Sequence, residues 1–273
     1  MRRYSWGTGL LEIVMVGTTL VFLVPVYILV NLAFRRMDDL STPLLPTSQP
    51  TIDNFVTAWE QAGLGSALLN SLFITVVSVT LIVIMAALAS YPLARVTGGW
   101  SRAAYMLFMI GLLLPFQLVF IPLYQTFSSL KILGTPWPLI ILYAGHQMPF
   151  SIFLYTSFLR ALPRDVEEAA SIDGANLWQS FWYVVFPILT PVTGTVIILN
   201  AILVWNDFMS PLLYLGGSRH QTVPVAIYGF VGEFNTVWPV VFAGLLIGMV
   251  PVLLAYFALQ ERIMQGFNTS ARA

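Results

Sequence analysis

The chain has 273 residues, 58% of them hydrophobic and only 9% charged, with zero formal net charge and no cysteine. A soluble domain carries about 25% charged residues, so most of this surface faces lipid. The neutral balance excludes nucleic acid, which demands a basic face, and the lack of thiols excludes disulfides and thiolate metal sites.

Taken in chain order, Arg2 and Arg3 precede the first apolar run, 10–34. That run is about twice the length of a signal-peptide core of roughly 7–15 residues and has no small-x-small cleavage site, so it reads as a retained first span. Five further runs follow at 67–92, 103–123, 137–158, 188–213 and 237–259. Each is long enough for a hydrocarbon core that needs about 20 helical residues. In lipid the backbone must satisfy its own hydrogen bonds, which selects helices over open strands. The expectation is therefore an all-α, polytopic membrane protein of six transmembrane helices, forming one transmembrane domain over 1–273. Pro25, Pro115, Pro149 and Pro251 predict kinks within the spans.

Orientation follows from the cations. With the N-terminus in the cytoplasm, Arg2, Arg3, Arg95, Arg102, Arg160, Arg164, Arg262 and Arg272 lie inside, and Arg35, Arg36, Lys131 and Arg219 outside. This eight-to-four bias matches the positive-inside rule. Arg35 and Arg36 are the exception, partly answered by Asp38 and Asp39 beside them. Both termini and the loop 160–187 are then cytoplasmic, while 42–65 and 214–236 lie outside.

The loop 160–187 concentrates charge: Asp165, Glu167, Glu168 and Asp173 are four of the 12 acids. It predicts two short helices. Pro163 and the acids suit a helix N-terminus, Ala169 and Ala170 give it a thin face, and Gly174 permits a left-handed turn. Leu177, Trp178, Phe181 and Trp182 recur at helical spacing as an apolar stripe, and Pro187 is expected to end that second helix. Two uses fit such a loop: a docking element for a partner in water, or an amphipathic connector lying on the bilayer.

Polar residues within the spans are sparse. Gln117, His146, Gln147 and Asn200 fall near mid-depth at about 1.5 Å rise per residue, with Tyr124 and Tyr143 as aromatic neighbours. Polar groups at that depth face a bundle interior or a water-filled path. A solute pathway and plain interhelical hydrogen bonding, worth about 0.6 kcal/mol per pair, both account for them. Two widely separated histidines make no metal site, and no catalytic constellation is present. The only lysine, Lys131, lacks the P-loop glycines, since Gln125 and Leu130 occupy their places. The chain is thus not expected to bind ATP. An ion-coupled carrier would place ionisable groups mid-membrane, where this chain has only His146.

The sequence Glu168-Ala169-Ala170, three residues, Gly174, then nine residues leading into Val184-Val185-Phe186-Pro187, resembles the EAA motif of importer-type ABC transporter permeases. Val184 and Phe186 stand where the family has Ile and Leu. Other stretches are similar to the MalG-like carbohydrate permeases: Ile172-Asp173-Gly174-Ala175, Trp205-Asn206-Asp207-Phe208, Thr222-Val223-Pro224-Val225, and Gln260 to Gly266.

The resemblance implies a type I ABC importer permease fold in the cytoplasmic membrane of a prokaryote, translocating a mono- or oligosaccharide, or another polar solute such as a glycerol phosphate. It implies that the loop is a coupling helix seated in an ATPase subunit, with Glu167, Glu168, Ala169, Ala170, Asp173, Gly174 and Pro187 as the coupling residues. Gln117, Tyr124, Tyr143, His146, Gln147 and Asn200 are candidate pathway residues, and Trp205, Asn206 and Asp207 shape the outer mouth. Gly216, Gly217 and Ser218 belong to an outer loop that either contacts the binding protein or merely connects. The tail 260–273 is a further candidate ATPase contact. The implied partners are two cytosolic ATPase subunits, a second and non-identical permease, an extracytoplasmic solute-binding protein and the lipid bilayer. ATP and magnesium would bind the ATPase subunits, leaving this chain without a cofactor of its own.

Overall fold

The computed structural model describes residues 6–232 and 236–270, with side chains described over 9–232 and 236–257. Arg2, Arg3 and Arg272 therefore lie outside the described residues, as do the side chains of the expected tail contact, 260–273. The helices in order are α1 (Trp6–Ala33), α2 (Asp53–Gln61), α3 (Leu64–Arg95), α4 (Gly99–Gly111), a 3-10 turn (Phe116–Val119) leading into α5 (Phe120–Ser129), and α6 (Trp137–Ala161). They continue as α7 (Asp165–Ile172), α8 (Leu177–Gln179), a π-helical turn (Ser180–Val185), α9 (Phe186–Ile188), α10 (Thr190–Asn206), α11 (Met209–Leu215), α12 (Val223–Tyr228) and α13 (Trp238–Ser270). No strand occurs among the described residues, as expected for a chain that must satisfy its backbone in lipid.

Among the described residues three helices are long and apolar enough to cross a bilayer alone: Gly9–Ala33, Leu64–Arg95 and Trp238–Phe257. Two expected spans are instead broken. The run 103–123 is divided between α4 and α5, which meet at 93°. Pro115 sits in the break with an extended backbone, ψ 116°. Its ring disfavours a helical conformation at the residue before it, so the predicted kink becomes a corner.

The run 188–213 starts at Thr190 and stops at Asn206. Asp207 turns extended, ψ 128°, and its Oδ1 accepts from the amides of Met209 (3.1 Å) and Ser210 (3.4 Å) at the start of α11. A side chain thus ends this span, although its hydropathy runs on. At the other end α10 meets the segment Leu177–Ile188 at 74°. Pro187 does not end that segment; it occupies its last turn, and the chain bends after Ile188. α6 has the length to span, 25 residues, or about 37 Å, but Gly145, His146, Gln147 and Pro149 dilute its apolar middle. Pro25, Pro149 and Pro251 all lie inside continuous helices.

The chain divides into two compact units. The first comprises residues 1–65 and 223–250. In it α1 is exposed along its apolar length, and the segment after it folds around one cation. Arg35 is only 2% exposed; its guanidinium donates to the carbonyls of Ser41, Thr42 and Leu45, and Asp39 lies 3.6 Å away. Asn31 donates to the carbonyls of Pro43 and Leu45, and Asn54 to those of Ala33 and Arg35. Arg36 pairs with Asp38. Both arginines that break the charge rule are therefore partnered by the two aspartates beside them. In the same unit α12 lies on α13 where Gly244 and Gly248 bare the backbone: a Cβ at these positions would stand 3.0 Å from Ile227 and 2.8 Å from Val223. Two glycines four apart allow the close approach.

The second unit comprises residues 66–222 and 251–273. One core joins α3, α6, the π turn and α10 through Ile82, Ala86, Ile152, Tyr155, Phe181, Leu189 and Val196. A second joins α3, α5, α6 and α11 through Ile74, Phe127, Leu139, Tyr143, Tyr214 and Leu215.

Candidate functional site

The 160–187 loop owes its shape to its caps. Asp165, Glu167 and Glu168 lie in the first turn of α7, where carboxylates complement the helix dipole. At the other end the amide of Ala175 donates to the carbonyl of Ala170 (2.9 Å), and that of Gly174 to Ser171 (3.1 Å). Gly174 is left-handed, φ 88°. This is a Schellman closure, and it explains why a glycine must stand four residues after Ala170. Asn176 then caps the next helix, accepting from the Gln179 amide while the Gln179 side chain accepts from the Asn176 amide. The expected pair of short helices is present, each with a local reason to start or stop.

None of the residues of α7 is buried. Glu168, Ala169 and Asp173 are exposed and Ala170 is half-buried, while Ile172 is 86% and Leu177 76% exposed. Val166 and Trp178 are also exposed. Acidic and apolar groups thus share an open surface. The expected stripe of the second helix divides. Phe181 is buried against Tyr91 and Trp182 rests on Phe186, whereas Leu177 and Trp178 face away from the core. The π turn between Ser180 and Val185 resets the helical phase and separates the two pairs. Pro187 is exposed.

Glu167 differs from its neighbour. It accepts from Arg95 Nη2 at 2.6 Å and Nε at 2.8 Å, and from the Tyr91 hydroxyl at 3.1 Å. Sequence reasoning placed Arg95 only as a topology charge. Helical spacing shows that Glu167 and Glu168 point in different directions, but not which of them meets α3.

The candidate pathway residues separate as well. Gln117, Tyr124 and His146 are exposed, and His146 stacks on Phe116 with ring centroids 3.7 Å apart. Tyr143, Gln147 and Asn200 are buried. Tyr143 donates to Asp207 at 2.9 Å, and Asn200 donates to Ser151 (3.2 Å) and to the Val196 carbonyl (2.8 Å). Tyr143 and Asn200 thus both make hydrogen bonds between helices. Trp205 is buried, and the exposed Asn206 bonds back to the Ile202 carbonyl.

Gly216 and Gly217 close α11: a Cβ on Gly216 would meet the Leu212 carbonyl at 2.7 Å, and Gly217 has φ 74°. The Ser218 amide donates to Leu215, and Asn70 donates to the carbonyls of Arg219 and Gln221. The glycines form a turn, and Asn70 ties down the residues after it. Among the described residues no cluster of three or more metal-ligating side chains occurs.

Residues 79–269 match the model of the family described as "Binding-protein-dependent transport system inner membrane component". The chain is similar to the melibiose/raffinose/stachyose import permease protein MelC of Bacillus subtilis, with 32% identity over 91% of this chain and 90% of that one. It is also similar to the probable starch degradation products transport system permease protein AmyC of Thermoanaerobacterium thermosulfurigenes, 32% identical over 99% of both chains. The multiple sugar-binding transport system permease protein MsmG of Streptococcus mutans is 33% identical over 98% of this chain and 97% of its own length. The fold matches a chain from the crystal structure of a bacterial ABC transporter involved in import of the polysaccharide alginate, with TM-score 0.82 and 20% identity over 96% of this chain and 99% of that one. The protein is a non-enzymatic transport component, and ATP hydrolysis in such importers lies in separate subunits. With the capped loop and the broken spans, these matches make the chain a member of the binding-protein-dependent transport system inner-membrane component family, the permeases of ABC importers.

Proposed function

We propose that this chain is the permease through which a mono- or oligosaccharide enters the cell, driven by ATP hydrolysis in two cytosolic subunits and supplied by an extracytoplasmic binding protein. The observation that carries the sugar assignment is the near full-length similarity to permeases named for melibiose, starch products and multiple sugars. A glycosylated glycerol is the second reading, favoured by 31% identity over 80% of the chain to a sulfoquinovosyl glycerol permease of Agrobacterium fabrum.

In this reading both termini are cytoplasmic, α6 is the fourth of six crossings and the second permease is non-identical. The open face of α7, with Glu168, Ala169, Ala170, Asp173 and Gly174, enters the ATPase. Gln117, Tyr124 and His146 offer neutral donors and rings to the solute, with Gln147 behind them, and Trp205, Asn206 and Asp207 frame the outer mouth. The turn at Gly216, Gly217 and Ser218 meets the binding protein.

Uptake into proteoliposomes holding the whole complex tests this proposal, with labelled melibiose, raffinose, maltotriose and a glycosyl glycerol as probes. ATP-dependent uptake of one of the three sugars supports it. Uptake driven by a membrane potential without ATP overturns it.

A further inference from the structure

An eight-residue helix with no buried residue has little packing of its own to hold it. Any push that α7 receives reaches the spans only through whatever ties it down. One tie is the packing of α7 against the π turn; the side-chain ties converge on the last turn of α3. Helix C-termini leave carbonyls without intrahelical donors and favour cations nearby, and here arginines from the α6–α7 region supply them. Arg160 donates to the Leu93 carbonyl at 3.3 Å and stacks over Tyr105 of α4, 4.5 Å from the ring centroid. Arg164 donates to the Arg95 carbonyl at 2.8 Å. Ser101 of α4 donates to Leu93 as well.

The side chain of Arg95 completes the joint. Its Nη1 reaches back to the Leu162 carbonyl at 3.2 Å, while Nε and Nη2 hold Glu167 Oε1. Tyr91 donates to the other carboxylate oxygen, so both oxygens of Glu167 are engaged. The paired side chains are 12% and 16% exposed, dry enough for a forked, charge-assisted contact to hold geometry. Tyr91 also packs on Phe181 beyond Gly174. One turn of α3 thus grips both halves of the loop. Glu168, one residue on, is exposed.

We propose that Arg95, Glu167 and Tyr91 form a mechanical joint that carries α7 and α3 as one body. Glu167 and Arg95 are positioning residues for transport, while Glu168 faces the ATPase. This rests on the docking of α7 proposed above. Lysine could not replace Arg95 fully, because a point charge lacks the fork that holds Glu167 and Leu162 together.

The test uses the complete reconstituted complex and the best-transported sugar of the panel. It measures ATPase subunits retained on purification, and sugar taken up per ATP hydrolysed. Glu167→Gln and Arg95→Gln should retain wild-type amounts of ATPase subunit while uptake per ATP falls about tenfold, with Arg95→Lys and Tyr91→Phe intermediate. The double variant should be no worse than either single variant, because partners acting through one contact are not additive. Wild-type uptake per ATP in both single variants overturns the joint, as does a multiplied loss in the double variant. Loss of the ATPase subunits from Glu167→Gln also overturns it, by making Glu167 a partner contact. Glu168→Lys separates the two ideas: if it retains the ATPase and full coupling, it is the docking of α7 that fails.

Discussion

The Ala175 amide closes on the Ala170 carbonyl at 2.9 Å, across a Gly174 held at φ 88°. Beyond its chain neighbours no atom lies within 4 Å of where a Gly174 Cβ would stand, so the requirement comes from the local backbone conformation and not from packing. A β-branched residue there carries a left-handed penalty of about 1–2 kcal/mol, a factor of roughly 5–30 in the population of the native turn. Gly174→Val should weaken retention of ATPase subunits by that factor, and Gly174→Asn much less, because asparagine tolerates the left-handed region. Quantitative pull-down of the ATPase subunits checks both.

Gly248 tests the packing of α12. A Cβ there would meet Val223 Cγ1 at 2.8 Å, and overpacking of this kind costs about 1–3 kcal/mol. Gly248→Ala should lower the melting temperature of the detergent-solubilised chain. Val223→Ala in the same chain should recover much of the loss, since it removes the opposing methyl group.

Arg35 organises the segment that follows α1. Arg35→Lys keeps the charge but replaces the planar fork with a compact ammonium that does not match its spacing, and each buried group left unpaired costs about 1–3 kcal/mol. Melting should fall by about 2–4 °C for each kcal/mol, whereas the exposed Arg36→Lys should change it little. Hydrogen bonds from Ser41 hold the Asp39 carboxyl below its ordinary value of 3.8. A depressed carboxyl contributes stability above its unfolded pKa and loses it as pH falls through the folded one. Hydrogen exchange at the Ser41 amide should therefore stay protected at pH 5 and lose protection only below 3.8.

Asp207 separates capping from proton transfer. Its Oδ1 accepts from the α11 amides and its Oδ2 from Tyr143. Asparagine can still accept from the amides and can donate to the tyrosine oxygen. Asp207→Asn should keep sugar uptake within about twofold, while Asp207→Ala should lose about 1 kcal/mol of capping energy, read as a lower melting temperature. Abolished uptake in the asparagine variant would mark Asp207 as a proton carrier.

The parts of this molecule legible in its sequence are those set by near neighbours. The corner at Pro115, the acids at the start of α7 and the turn at Gly174 each follow from a residue acting on its own backbone. What stayed hidden depends on groups far apart in the chain. The run 188–213 gives no apolar sign of a break, because a side-chain cap at Asp207 ends the helix. The different fates of Glu167 and Glu168 depend on Arg95, 72 residues away. The burial of Tyr143 and Asn200 likewise depends on which faces of α6 and α10 meet.

The most direct measurement is ATP-driven sugar uptake by the reconstituted complex carrying Glu168→Lys. With α7 as the surface that receives the ATPase, reversing this exposed charge should release the ATPase subunits and cut ATP-driven uptake at least tenfold, while the melting temperature of the isolated chain stays unchanged. Wild-type retention of the ATPase and undiminished uptake would contradict coupling through α7.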